Sequence, residues 1–71
     1  MNTNLEDLAK EYDRSLNVQK EVIAINRKKL LQAQKKGNYS EMKRLTALLS
    51  VLYEEKSELE EKANRLRHYY S

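Results

Sequence analysis

The fold class this sequence predicts is all-α: an antiparallel two-helix coiled-coil hairpin, expected to dimerise into a four-helix bundle. Three observations predict it. Leucines recur every seventh position in the second half, at Leu45, Leu52, Leu59 and Leu66, with Met42, Leu49, Lys56, Ala63 and Tyr70 three before or four after them. Alternating steps of three and four place both sets on one stripe of a helix, the a and d positions of a heptad. A stripe of the same spacing runs through the first half, from Leu5, Ala9, Tyr12 and Leu16 to Ile23, Leu30 and Ala33, with Gln19 and Asn26 at two of its positions. Between the stripes lies the single glycine, Gly37, in a chain without proline.

The elements follow in order. Residues 1–4 are a polar lead in which Thr3 with Glu6, or Asn4 with Asp7, supplies an N-cap and an acid three residues on. The first helix is therefore expected over about 4–36, beginning near Asn4 or Leu5. Glu6 and Asp7 in its first turns and Lys35 and Lys36 in its last suit the helix dipole. Gly37 can adopt the left-handed conformation that closes a helix. Asn38 then reads as the N-cap of a second helix over about 39–70, with Glu41 as its partner at the third position. A stop and a start signal back to back, at 37–38, imply a reversal of direction and one domain over 1–71. The turn KKGNYSEM resembles those of tetratricopeptide-like hairpins, but no second copy of the unit follows.

The register supports the hairpin independently. When residues equally far from the Gly37–Asn38 break face each other, every stripe residue finds a stripe partner. Ala33 meets Met42, Leu30 meets Leu45, Asn26 meets Leu49, Ile23 meets Leu52 and Gln19 meets Lys56. Farther out Leu16 meets Leu59, Tyr12 meets Ala63, Ala9 meets Leu66 and Leu5 meets Tyr70. Large faces small at the open end, and the charged stripe residue Lys56 faces the polar Gln19. On the flanks this register sets Glu6 near Arg67 and Leu8 near Tyr69, and it leaves Asp13 beside Glu60. A parallel zipper through the second helix would instead oppose Glu55 to Glu60 and Lys62 to Arg67, which repel.

Seventy-one residues, 35% of them charged, make a small core that commonly needs a second chain to complete it. Val18, Val22, Ile25 and Leu31 lie off the first stripe, and Leu48, Val51 and Tyr53 off the second, concentrated toward the turn. Two helices cannot bury so wide an apolar surface. A second copy of the chain is the first expected cover, and a different protein the alternative. The basic side chains are also unevenly placed. Lys28, Lys29, Lys35, Lys36, Lys43 and Arg44 gather about the turn, whereas Glu54, Glu55, Glu58, Glu60 and Glu61 form an acidic block. The basic tip suits an acidic protein surface or the phosphates of nucleic acid, bound without sequence preference because no recognition-helix motif accompanies it.

Catalytic chemistry is not expected, and neither is a cofactor or a bound metal. The chain has no cysteine and one histidine, His68, placed where a helix C-terminus accommodates it. Glu54, Glu58 and Glu61 share a face, but Glu58–Lys62 and Glu61–Arg65 are ordinary pairs four residues apart. The serines lack a neighbouring base, and one glycine cannot build a phosphate loop. Tyr69 and Tyr70 are expected to close the open end on Leu5 and Leu8. No stretch approaches the roughly 20 apolar residues of a membrane span, and the start MNTNLEDL lacks the pattern of a signal peptide. The expected setting is the cytoplasm, without a membrane partner.

From Lys43 to Tyr70 the pattern LxxLLxxLYEEKxELEExAxxLRxYY resembles small uncharacterised coiled-coil proteins of Firmicutes mobile genetic elements. The resemblance rests on the heptad leucines and the closing LRHYY, and covers under half of the chain. It implies an accessory or regulatory role in such an element and brings no catalytic residues.

Overall fold

The computed structural model describes the backbone over residues 5–70 and the side chains over residues 6–68. Helix α1 runs Leu5–Lys36 and helix α2 runs Tyr39–Tyr70, 32 residues each, packed side by side as an antiparallel hairpin. The expected caps at Thr3 or Asn4, the Leu5–Tyr70 layer and the contacts of Tyr69 lie outside the described residues. The radius of gyration, 16.2 Å, exceeds the roughly 11 Å of a globule of this length. This is a rod.

The reversal is built from backbone geometry and one side chain. Gly37 sits at φ 68°, in the left-handed region that only glycine enters freely. That conformation turns Asn38 N–H onto the carbonyl of Ala33 at 2.9 Å and Gly37 N–H onto that of Gln34 at 3.2 Å. These two bonds satisfy carbonyls that the end of α1 would otherwise leave open. Asn38 then caps α2: its Oδ1 accepts from Glu41 N–H at 3.2 Å, and its carbonyl accepts from Met42 N–H at 3.0 Å. The reciprocal half of the capping box does not form, because the Glu41 carboxylate is held by Arg44 at 2.5 and 3.1 Å.

The two stripes face each other as the heptad pattern requires. Ala9, Leu16, Ile23, Ala33, Leu45, Leu49, Leu52 and Ala63 are buried, as is Asn26. Tyr12, Gln19, Leu30, Met42, Lys56, Leu59 and Leu66 are half-buried. Ile23, Leu49 and Leu52 form the densest cluster, with Val22, Leu30 and Leu48 packed on its edge. Three of the buried residues are alanines, and among the described residues Leu45 is the one large side chain that is fully buried. The core is thin.

The polar side chains of the stripe find partners. Asn26 Nδ2 donates to the Val22 carbonyl at 2.8 Å. Gln19 Nε2 crosses the seam to the Leu52 carbonyl at 3.3 Å. Lys56 lays its methylenes in the core and carries its ammonium out to Glu60 at 2.6 Å.

A substitution at the turn tests how much the reversal depends on Gly37. A Cβ there would meet nothing within 4 Å, so Gly37→Ala incurs only the backbone cost of a left-handed residue, about 1 kcal/mol. In a domain of this size that lowers the melting temperature by about 4–8 °C. Thermal unfolding followed by circular dichroism should show this loss, and should show less of it for Gly37→Asn. An unchanged melting temperature in the alanine variant would contradict the assignment.

Candidate interaction surfaces

Every residue named from the sequence as lying off the stripes is placed by its angle around its helix. On α1, Val18 and Ile25 are c positions and Val22 a g position. On α2, Val51 is a c position and Leu48 a g position. The c and g positions lie on one side of a stripe and the e and b positions on the other. The antiparallel pairing brings like flanks together, so Val18, Val22, Ile25, Leu48 and Val51 share one flank of the hairpin. Leu31 and Tyr53, at b and e positions, lie on the opposite flank. The single apolar surface expected from the sequence is therefore two surfaces.

On the first flank Val18, Ile25 and Val51 are 59, 54 and 51% exposed. Val22 and Leu48 lean inward onto the Ile23–Leu49–Leu52 cluster. On the second, Leu31 and Tyr53 are 55 and 44% exposed. They line an open groove of ≈ 510 Å³ with Arg27, Leu30, Gln34, Thr46, Leu49 and Ser50. The polar wall of that groove was not singled out in the sequence. Its signal was available, since Arg27, Gln34 and Thr46 are the e positions beside Leu31 and Tyr53. Such exposed side chains, on a hairpin whose own core is thin, leave apolar area that association can remove from water.

The six basic residues at the turn end are all exposed, and they are not equivalent. Arg44 makes a bidentate pair with Glu41, its guanidinium 2.5 Å from one carboxylate oxygen. This bond holds Glu41 below the ordinary carboxylate value, with Lys29 adding to the effect, and raises Arg44. Among the described residues Lys28, Lys35, Lys36 and Lys43 form no ion pair. Tyr39 stands beside them, 78% exposed.

The flank ion pairs depart from the expected register. Arg67 bonds Asp13, not Glu6. Glu60 lines one shallow cavity with Asp13, but it bonds Lys56 and feels Lys20, and both hold it below its ordinary value. The cross-helix pair is thus offset by one heptad from the expected Glu6–Arg67, and Glu60 is neutralised within its own helix. Helical side chains lean toward their own N-terminus. In this hairpin those of α1 lean to the open end and those of α2 toward the turn. Asp13 and Arg67 converge, whereas Glu6 and Arg67 diverge. On the outer face Glu61 pairs with Arg65 at 2.5 Å, but Glu58 and Lys62 do not form the pair their spacing suggested.

Among the described residues, no helix is long and apolar enough to cross a membrane, and no group of three or more His, Asp or Glu side chains is arranged to hold a metal ion. Comparison with protein-family models, with curated proteins and with solved structures finds no match.

Two shifted carboxylates give a pH dependence whose sign is fixed. Glu41 and Glu60 are lowered by partners present only in the folded chain. Their stabilisation is fully present above the ordinary value of 4.5 and disappears as pH falls through the lowered one. Melting temperatures from circular dichroism should decline once the pH drops below that value. Because both pairs are exposed the decline is shallow. Glu41→Gln and Glu60→Gln together should flatten it, and an acid decline as steep in the double variant would refute the assignment.

Proposed function

We propose that this chain acts by binding, as a non-enzymatic protein-interaction and regulatory adaptor built as a small helical bundle. The observation that carries the reading is the mismatch between core and surface. Among the described residues one large side chain is fully buried, while Val18, Ile25, Leu31, Val51 and Tyr53 stand about half exposed on two flanks. Covering them removes apolar area from water and completes a core that two helices leave thin. A second copy of the hairpin is the first occupant of that surface, giving a homodimeric four-helix bundle. The remaining flank and the basic turn end are then available to another protein. The charge on both sides of each stripe argues against a membrane-surface role, so the proposed setting is the cytoplasm. An accessory role in a mobile element, as the resemblance of the Lys43–Tyr70 stretch to Firmicutes element proteins implies, fits a small binding module of this kind.

A second reading has its own observation. Lys28, Lys35, Lys36 and Lys43 project from one end without ion-pair partners among the described residues. Lys43 also lies in the first turns of α2, where the helix dipole disfavours a cation and a bound anion would compensate it. Phosphates of nucleic acid would satisfy this end non-specifically.

One experiment separates the readings: capture on the tagged chain from a bacterial lysate, with and without nuclease. The adaptor reading predicts one stoichiometric protein that survives nuclease and is lost when Leu31→Glu is introduced. The second reading predicts partners lost on nuclease treatment and lost equally when Lys35, Lys36, Lys43 and Arg44 are reversed to Glu. Recovery of the chain alone in both halves would contradict both and leave self-association by itself.

A further inference from the structure

Resting on the reading that a second copy covers part of the apolar surface, we infer which flank it covers and in which direction. The second copy seats on the flank of Val18, Val22, Ile25, Leu48 and Val51 with the two turns at opposite ends. A two-fold axis crosses the helices near Val51, so α2 lies antiparallel on α2 of the second copy and α1 on α1.

The charges of this flank decide the direction. At 1.5 Å per residue, Glu41, Arg44 and Lys29 lie about 5, 10 and 13 Å from the turn, Val51 about 20 Å, and Glu58 and Lys62 about 31 and 37 Å. Reversing one copy about the level of Val51 brings Arg44 opposite Glu58 of the second copy and Glu41 opposite Lys62 of the second copy. Each chain contributes both halves of the exchange, so the pattern is self-complementary, as a two-fold interface requires. Glu58 and Lys62 are four residues apart yet form no ion pair with each other or with any described residue. Glu41 and Arg44 are already joined. The reversed copy would therefore complete an alternating row of four charges at each end of the interface.

The apolar residues meet in the same arrangement. Val51 lies against Val51 of the second copy on the axis and Ile25 comes within about 3 Å of the level of Ile25 of the second copy, while Val18 lies level with Lys29 of the second copy. The alternative two-fold, along the helices, lays α1 on α2 of the second copy with both turns at one end. It matches Val22 and Ile25 with Val51 equally well. However, it sets Lys29 beside Arg44 of the second copy and crowds two basic tips together. Like charges so placed repel. The hairpin is 53 Å long and 18 Å wide, and with the axis at Val51 the copies overlap along about 40 Å of it, on the order of 700 Å² per copy, close to the roughly 800 Å² that a stable interface buries on each partner.

The chain has no cysteine, so a single introduced thiol is unique. Val51 is half exposed, so Val51→Cys should fold with unchanged helicity. Mild oxidation should join it to its counterpart in a covalent dimer, because residues on the axis lie within the roughly 7 Å that a disulfide tolerates. In the turns-together arrangement the two Val51 positions are about a helix diameter apart, and Ile25→Cys with Val51→Cys would crosslink instead. A dimer by light scattering that Val51→Cys fails to crosslink overturns this arrangement and leaves self-association standing. A monomer at the same concentration overturns both. A charge exchange provides the second measurement. Glu58→Arg should raise the dimer dissociation constant about tenfold, and Glu58→Arg with Arg44→Glu should recover most of it. Leu31→Glu, on the opposite flank, should leave the mass unchanged. Failure of the exchange to recover the dimer, or loss of the dimer in Leu31→Glu, contradicts the inference.

Discussion

The backbone reversal at Gly37 is the constraint on which the rest of this molecule depends. A left-handed residue placed directly after α1 and an asparagine cap directly before α2 leave no slack between the helices. With no slack, the distance of each residue from the turn fixes its partner across the seam. The heptad stripes could by themselves pair in several registers or in another chain. The turn selects one, and the size alternation of Tyr12 with Ala63 and Ala9 with Leu66 is compatible with it. The polar stripe residues reinforce the choice. The Gln19 amide reaches the Leu52 carbonyl across the seam, a bond that a shifted register would break.

Because the register is spent on joining two helices, what remains for function lies on the outside. Two packed helices enclose a seam and no cavity, so the surfaces available are long, shallow and open. The apolar side chains on them are arranged on two flanks whose surroundings differ. One flank has an apolar middle between a turn end carrying Lys29, Glu41 and Arg44 and a far end carrying Glu55, Glu58 and Lys62. The other has a groove walled by Arg27, Gln34, Thr46 and Ser50. The proposed self-association rests on the first flank, whose charges are complementary to those of a copy turned end for end.

Most of the fold was legible in the sequence. The glycine, the asparagine cap and the three-four spacing place both helices and their pairing, because each is a local signal read through helix geometry. The flank ion pairs were less legible. Equal distance from the turn describes backbone positions, whereas an ion pair depends on where long side chains end. Their lean toward each helix's own N-terminus brings Arg67 to Asp13 in place of Glu6, and Glu60 takes Lys56 of its own helix. The division of the apolar surface was present in the heptad letters, but nearness to the turn obscured it. Leu31 and Val51 are close along the rod and on opposite sides around it. The basic residues near the turn differ in ways their spacing does not show: Arg44 is engaged by Glu41, while Lys35, Lys36 and Lys43 form no ion pair among the described residues. Sequence spacing alone favoured Glu58–Lys62 as much as Glu61–Arg65, and the fold forms only the second.

The most direct test of the hairpin is a distance within one chain. Spin labels on cysteines introduced at Glu11 and Asn64 occupy positions equally far from the turn, in a protein with no other thiol. Pulsed electron resonance, with labelled chains diluted in unlabelled ones, should give a separation of about 10–20 Å, the spacing of two packed helices plus the label arms. A separation near 80 Å would mean that the helix runs on through residue 37 at 1.5 Å per residue, and the account would fail at its root.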